Sequence, residues 1–185
     1  DGKACRFTPS EIGEKFAVLR GSCKPSAQYD AFYPASAAPV LKNGRFSVQA
    51  ESYQNAVAGS VATEANLAIG RFTGSQVTLK TAMAYLGFTC EFGHHFIGSI
   101  RLTADQNLAG TAELALEDGS PVSSITGDGS KSITLAAAPK FLNGKTYFFA
   151  VLPGEYTGVK LTVLNKNGET KVLEVGDVKA VRNTD

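Results

Sequence analysis

Few residues of this chain could do chemistry, and they are quickly named: the adjacent His94 and His95, the cysteines Cys5, Cys23 and Cys90, and the carboxylates Glu113, Glu117 and Asp118. Histidine is the usual base and metal ligand. On a strand, however, neighbouring residues point to opposite faces, so the two rings diverge, and no HExxH motif or Cys/His cluster adds ligands. The cysteines are odd in number and lack CxxC spacing, which counts against zinc and dithiol chemistry. A Cys5–Cys23 bridge is open to an exported chain, whereas Cys90, within LGFTCEF, reads as a buried small hydrophobe.

Glu113 and Glu117 are spaced to share one face of a strand that ends in an Asp118-Gly119 turn. A solvated face accounts for them better than paired-carboxylate hydrolysis of sugars. No serine lies in GxSxG or SxxK, and only two histidines could serve as base. Gly127-Asp128-Gly129 lacks the spacing of a calcium loop, and neither GxGxxG nor a phosphate-binding lysine loop occurs. The expectation is a protein that is not an enzyme, with no cofactor and no metal.

The elements that remain are short strands. Phe46 and Val48 alternate after Asn43-Gly44, Ile100 and Leu102 alternate with Arg101 and Thr103, and Ala112, Leu114 and Leu116 alternate with Thr111 and Glu113. The C-terminal stretch YFFAVLPGEYTGVKLTVLNKNGETKVLEV reads as strand, turn, strand, turn, strand. Residues 49 to 68, richer in Ala, Asn and Ser, read as a long connection, and Ser123 to Ser130 as a loop. No helical periodicity competes, so the spacing predicts an all-β sandwich or barrel. A change of character near residue 74 suggests two β-sandwich domains, 1–74, which is short for a complete sandwich, and 75–185.

Composition excludes several function classes. Eighteen Lys and Arg balance seventeen Asp and Glu, with no run of one sign, so the basic stripe of a nucleic-acid binder is missing. No apolar run reaches the ~20 residues of a membrane-spanning helix. Tryptophan is absent, and Tyr147, Phe148 and Phe149 form a continuous run that reads as core. Tyr29, Tyr53 and Tyr156 fall near loops and are the candidate stacking residues for a ligand.

The segment GKTYFFAVLPGEYTGVKLTVLNKNGETKVLEV, followed by VKAVRN, resembles the C-terminal signature of the fimbrillin-like proteins of Bacteroidetes. Three upstream pieces agree in order: YDAFYPAS at 29–36, MAYLGF at 83–88, and the strand with its Leu-Ala-Gly step at 100–110. The resemblance implies two tandem transthyretin-like (Greek-key) β-sandwich domains and a non-enzymatic fimbrial (pilus) subunit or adhesin that assembles by β-strand exchange. It further implies an exported lipoprotein at the cell surface or outer membrane, meeting the membrane only through a lipid anchor that this chain lacks. The implied partners are other fimbrial subunits, as a homo- or hetero-polymer, and a host or bacterial receptor or glycan. The candidate exchanging strands are the first segment of the chain and the last, with Val172, Val175, Val178 and Val181. The alternative is a surface lipoprotein that binds carbohydrate or another ligand through Tyr29, Tyr53 and Tyr156.

Overall fold

The structure, a computed structural model, describes residues 4–13, 17–91, 97–138, 140–165 and 168–182. Among the described residues, seventeen strands and two single turns of 3-10 helix make up the regular structure. In chain order the strands are β1 (Thr8–Ile12), β2 (Ala17–Arg20), β3 (Tyr29–Tyr33), β4 (Val40–Lys42), β5 (Arg45–Ala50), β6 (Tyr53–Val57), β7 (Ser60–Val61), β8 (Ala68–Phe72) and β9 (Lys80–Thr81). They continue with β10 (Ala84–Thr89), β11 (Ile97–Thr103), β12 (Gly110–Glu117), β13 (Ser120–Ile125), β14 (Ser132–Ala136), β15 (Thr146–Val151), β16 (Gly154–Asn165) and β17 (Thr170–Ala180). The protein is all-β, as its periodicity predicts, and its sheets pack face to face in sandwich-like layers.

Local sequence fixes the hairpins. Asn43-Gly44 joins β4 to β5 and Asp118-Gly119 joins β12 to β13; in both pairs the two turn residues have positive φ, 51° and 72° in the first, 49° and 73° in the second. That backbone matches the twist of the flanking strands, and Asn-Gly and Asp-Gly reach it with little strain. Between them β4, β5, β12 and β13 make a four-stranded sheet in the order β13-β12-β5-β4.

One core lies between that sheet and the three-stranded sheet β3-β8-β9. Phe46, Val48, Ala112 and Leu114 meet Leu67, Ile69 and Ala82 there, joined by Met83, Ala150 and Leu152. The other core lies between the six-stranded sheet β17-β16-β11-β14-β6-β7 and the ribbon β10-β15. Ile100, Leu102, Ile133, Leu135 and Val159 of the large sheet pack on Ala84, Tyr147, Phe149 and Val151 of the ribbon. Pairing runs across position 74: Ala112 of β12 lies opposite Val48 of β5, and Thr134 of β14 lies beside Tyr53 of β6 in a parallel pair. The two cores therefore exchange chain more than once.

Two stretches differ from the sequence expectation. Residues 49–68, expected as a connection, hold β6, β7 and the start of β8, and the expected loop at Ser123 begins inside β13. Both segments read as loop because polar residues interrupt their apolar positions, and side-chain hydrogen bonds hold the first of them together with the core contacts of Ala50, Ala65 and Leu67. Gln54 of β6 illustrates this: its side chain is buried, donating Nε2–H to the Ala150 carbonyl at 2.8 Å and accepting the Ala150 N–H on Oε1 at 3.0 Å. The amide thus acts as one more rung of a ladder, between residues 96 positions apart.

The Tyr-Thr-Gly step of β16 also has a physical basis. Tyr156 enters the core, Thr157 donates its hydroxyl to Asp105 Oδ2 at 2.9 Å and its N–H to Gln106 Oε1 at 2.8 Å, and Gly158 sits at φ +60°. A Cβ at position 158 would stand 2.7 Å from Asp105 Oδ2, so only glycine fits without moving that latch. The register between β16 and β17 shifts at this point, which puts a bend into the edge of the large sheet.

Candidate functional site

The sequence-predicted residues are scattered over this fold. His94 and His95 lie outside the described residues. Glu117 pairs with Arg45 at 3.3 Å on the surface, an exposed ion pair of about 0–1 kcal/mol. Tyr29, in β3, stacks on Phe72 with ring centroids 5.2 Å apart, and its hydroxyl donates to the Lys24 carbonyl at 3.1 Å. Tyr53 is exposed on β6, whereas Tyr156 is only 5% exposed and donates its hydroxyl to the Leu152 carbonyl at 2.7 Å. The three tyrosines do not converge, and Tyr156 is a core residue with no ring face for a ligand.

Val172, Val175 and Val178 belong to β17, which pairs with β16 from Ala180 back to Thr170, while Val181 follows the strand and is exposed. β17 is an edge strand of the large sheet. Leu173 lies opposite Leu161, on the core side, and Val172 opposite Thr162, on the outer side. Beyond Leu173, Gly176 at φ 88° marks a bulge that shifts the alternation, so Val178 joins Val175 on the inner face. Charges decorate the same strand: Lys160 reaches Glu174 at 3.0 Å and Lys179 reaches Glu155 at 3.4 Å. Charged edges discourage indiscriminate pairing.

Opposite β17 stands β10, the outer strand of the ribbon. The two sides of that ribbon differ. The β15 side is satisfied by the Gln54 side chain and by the Gly59 N–H, which donates to the Thr146 carbonyl at 2.8 Å. On the β10 side, among the described residues, no backbone hydrogen bond links Ala84–Thr89 to any strand but β15. Every second N–H and C=O of an edge strand points away from its partner, so β10 presents an open ladder.

Between these two edges runs an apolar groove of about 220 Å³. Leu86 and Phe88 form one wall, Val175 and Val178 the other, and Leu102 and Phe149 the floor. Leu173 and Val175 remain 47% and 48% exposed although they lie on the core-facing side of their strand, because among the described residues no strand of the ribbon extends over them. The core is thus closed along its β15 side and open along its β10 side. Sequence reasoning missed Leu86, Phe88 and Leu161 as groove residues; their alternation marks a strand, but which strand lacks a neighbour is not a local property.

A second concavity, of about 340 Å³, lies beside β8, lined by Arg71, Phe72, Thr73, Gln76, Thr78 and Lys80 among others. Arg71 is held by Asp30 at 2.7 Å, and Lys80 donates to the Gly119 carbonyl at 2.6 Å. The Tyr29–Phe72 stack borders this cleft through Phe72. Among the described residues no group of three or more His, Cys, Asp or Glu side chains could hold a metal ion.

Two buried titratable groups set an alkaline limit on the fold. Burial pushes the Cys90 thiol up from 9.0 to about 11, and burial pushes the Tyr156 phenol up from 10.0 to about 12. In each case the unfolded chain loses its proton first, so the associated stability is intact below the unfolded value and is lost as pH rises through the folded one. Stability should therefore fall between pH 9 and 11 through Cys90, and between pH 10 and 12 through Tyr156. The slope is on the order of 1.4 kcal/mol per pH unit for each group. Denaturant titrations at stepped pH should show this decline, and Cys90→Ala should flatten its first part; an unchanged slope would remove Cys90 from the account.

Comparisons of the chain with family models, with curated proteins and with solved structures found no match.

Proposed function

We propose that this chain is a non-enzymatic subunit or adhesin of a fimbrium-type surface assembly, joined to its neighbours by strand exchange at the seam between β10 and β17. The observation that carries the reading is the pairing of two open sheet edges across an apolar groove. An extended segment laid there would satisfy the outward N–H and C=O groups of β10 and cover Leu86, Phe88, Val175 and Val178 with alternate side chains, which is how strand addition gains both affinity and register. The ordered motifs shared with fimbrillin-like proteins support the same reading, and with it the export of the chain, a lipid-anchored origin and a place at the outer membrane. Under this reading the two cores are two transthyretin-like units that share strands across position 74 rather than following one another strictly in tandem.

The occupant is an extended segment of another subunit, here a second copy of this chain. Its own β17 is paired to β16, so a donor strand must either leave that pair or come from the first segment of the chain. Light scattering over a range of concentrations should show linear growth beyond the dimer, because a strand given to one neighbour leaves the giver's own seam open to the next. A strict monomer at all concentrations would contradict a homo-polymer.

The cleft beside β8 favours a second reading, a ligand-binding surface lipoprotein. Arg71 and Lys80 at its rim and the Tyr29–Phe72 stack at its border suit a polar or acidic sugar. Binding on a glycan array that is lost in Arg71→Ala, with no self-association, would favour it over the first.

A further inference from the structure

The N-terminal hairpin stands apart from both cores. Among the described residues β1 and β2 pair only with each other, and all their residues are exposed, among them Ile12, Val18 and Leu19. An isolated two-stranded hairpin is at best marginally stable in water, so something other than packing must hold this one. Ser10 contributes a little: its hydroxyl donates to the Val18 carbonyl and accepts from the Arg20 guanidinium, both at 3.2 Å.

The register points to a stronger device. Thr8 pairs with Arg20 and Pro9 with Leu19. Continued outward, that register sets Phe7 against Gly21, Arg6 against Ser22 and Cys5 against Cys23. The two legs do stay together beyond the paired residues: a Cβ on Gly21 would lie 2.7 Å from the Phe7 ring and 2.8 Å from the Arg6 carbonyl oxygen. The Cys23 thiol is hydrogen-bonded to the Cys5 thiol, a contact that raises its pKa above the usual value.

We propose that Cys5 and Cys23 are a disulfide-forming pair that clasps the open end of the β1–β2 hairpin in an oxidising compartment. Residues directly opposed across antiparallel strands have Cα atoms about 4.5–5.5 Å apart, within the span a disulfide bridges. The oxidant is a small-molecule or protein disulfide. One thiol, as thiolate, attacks it, forming a mixed disulfide and releasing one thiol. The second cysteine then displaces the other half as a second thiol, so two electrons and two protons leave the pair and one S–S bond replaces another. Cys90, buried in the large core, takes no part. The clasp does not rest on the seam between β10 and β17, but once closed it keeps the first segment in its own hairpin and leaves β17 as the donor strand there.

The test uses the full chain in glutathione buffers of graded ratio, quenched with an alkylating agent and mapped by mass spectrometry without reduction. The expected product is a single intramolecular Cys5–Cys23 link with Cys90 unmodified. The folded pair should oxidise at a ratio on the order of tenfold more reducing than the same pair in denaturant, since the hairpin already brings the thiols together. Amide exchange at Ala17–Arg20 should slow by about tenfold on oxidation. In Cys5→Ser that slowing should vanish, while exchange in both cores stays as in the wild type. Equal oxidation in the folded and unfolded chain, glutathione retained on both cysteines, or links only between chains would each overturn the proposal.

Discussion

Replacing Gln54 by leucine should destabilise the protein by about 2–4 kcal/mol, although the two side chains are similar in size. Gln54 is the buried polar residue whose amide closes both backbone groups of Ala150, at 2.8 and 3.0 Å. Leucine would leave that N–H and C=O buried without partners, at about 1–3 kcal/mol for each group, offset in part by the apolar gain of the side chain. In a chain of this length each kcal/mol moves the melting temperature by about 2–4 °C, so Tm should fall by roughly 5–15 °C. Calorimetry checks it. A shift of less than 2 °C would mean that the β15 side of the ribbon is closed by something other than this side chain. The same substitution bears on function, because Gln54 confines the opening of the core to the β10 side.

The second large effect concerns assembly. Val175→Asp should leave the isolated subunit nearly as stable as before, since the residue is 48% exposed and a surface substitution changes stability by about 0.5 kcal/mol or less. In an assembled seam, however, the carboxylate would be covered by the incoming strand, with no cation among the described residues that line the groove. A buried unpaired charge costs several kcal/mol, so self-association should weaken by about 100-fold or more. Val57→Asp, at a comparably exposed position (40%) away from the groove, is the control and should associate like the wild type. Sedimentation at matched concentrations measures both. Equal weakening in the two variants would point to a general effect of charge rather than to the groove.

How much of this was legible in the sequence depends on the range of the interaction involved. The alternation in Ala112-Glu113-Leu114 and in Ile100-Arg101-Leu102, and the strand-turn-strand text from Tyr147 onward, are local, and the corresponding strands β12, β11, β15, β16 and β17 form. Cys90 is buried for the reason its apolar neighbours suggest. β6 was hidden because its defining contact, Gln54 with Ala150, lies 96 residues away and involves a polar side chain that reads as loop. The pairing of β12 with β5 across position 74 was hidden for the same reason. The valines of the last strand show what spacing alone cannot resolve. Val172 and Val175 are three apart and would face opposite sides of any regular strand, and the bulge at Gly176 then returns Val178 to the side of Val175. Of that set only Val175 and Val178 reach the groove. An open edge is defined by which strand is missing beside it, and no window of sequence contains that information.

The seam itself is open to one direct measurement: amide hydrogen exchange along Ala84–Thr89, read residue by residue in the dilute subunit and in the assembled form. In the dilute subunit the amides of β10 that face away from β15 should exchange rapidly while their neighbours, bonded to β15, are protected. On assembly the outward set should slow by at least about tenfold as a new strand takes up their hydrogen bonds, with the β15-facing set unchanged. Assembly that leaves the outward amides of β10 exchanging as fast as before would contradict strand exchange at this seam.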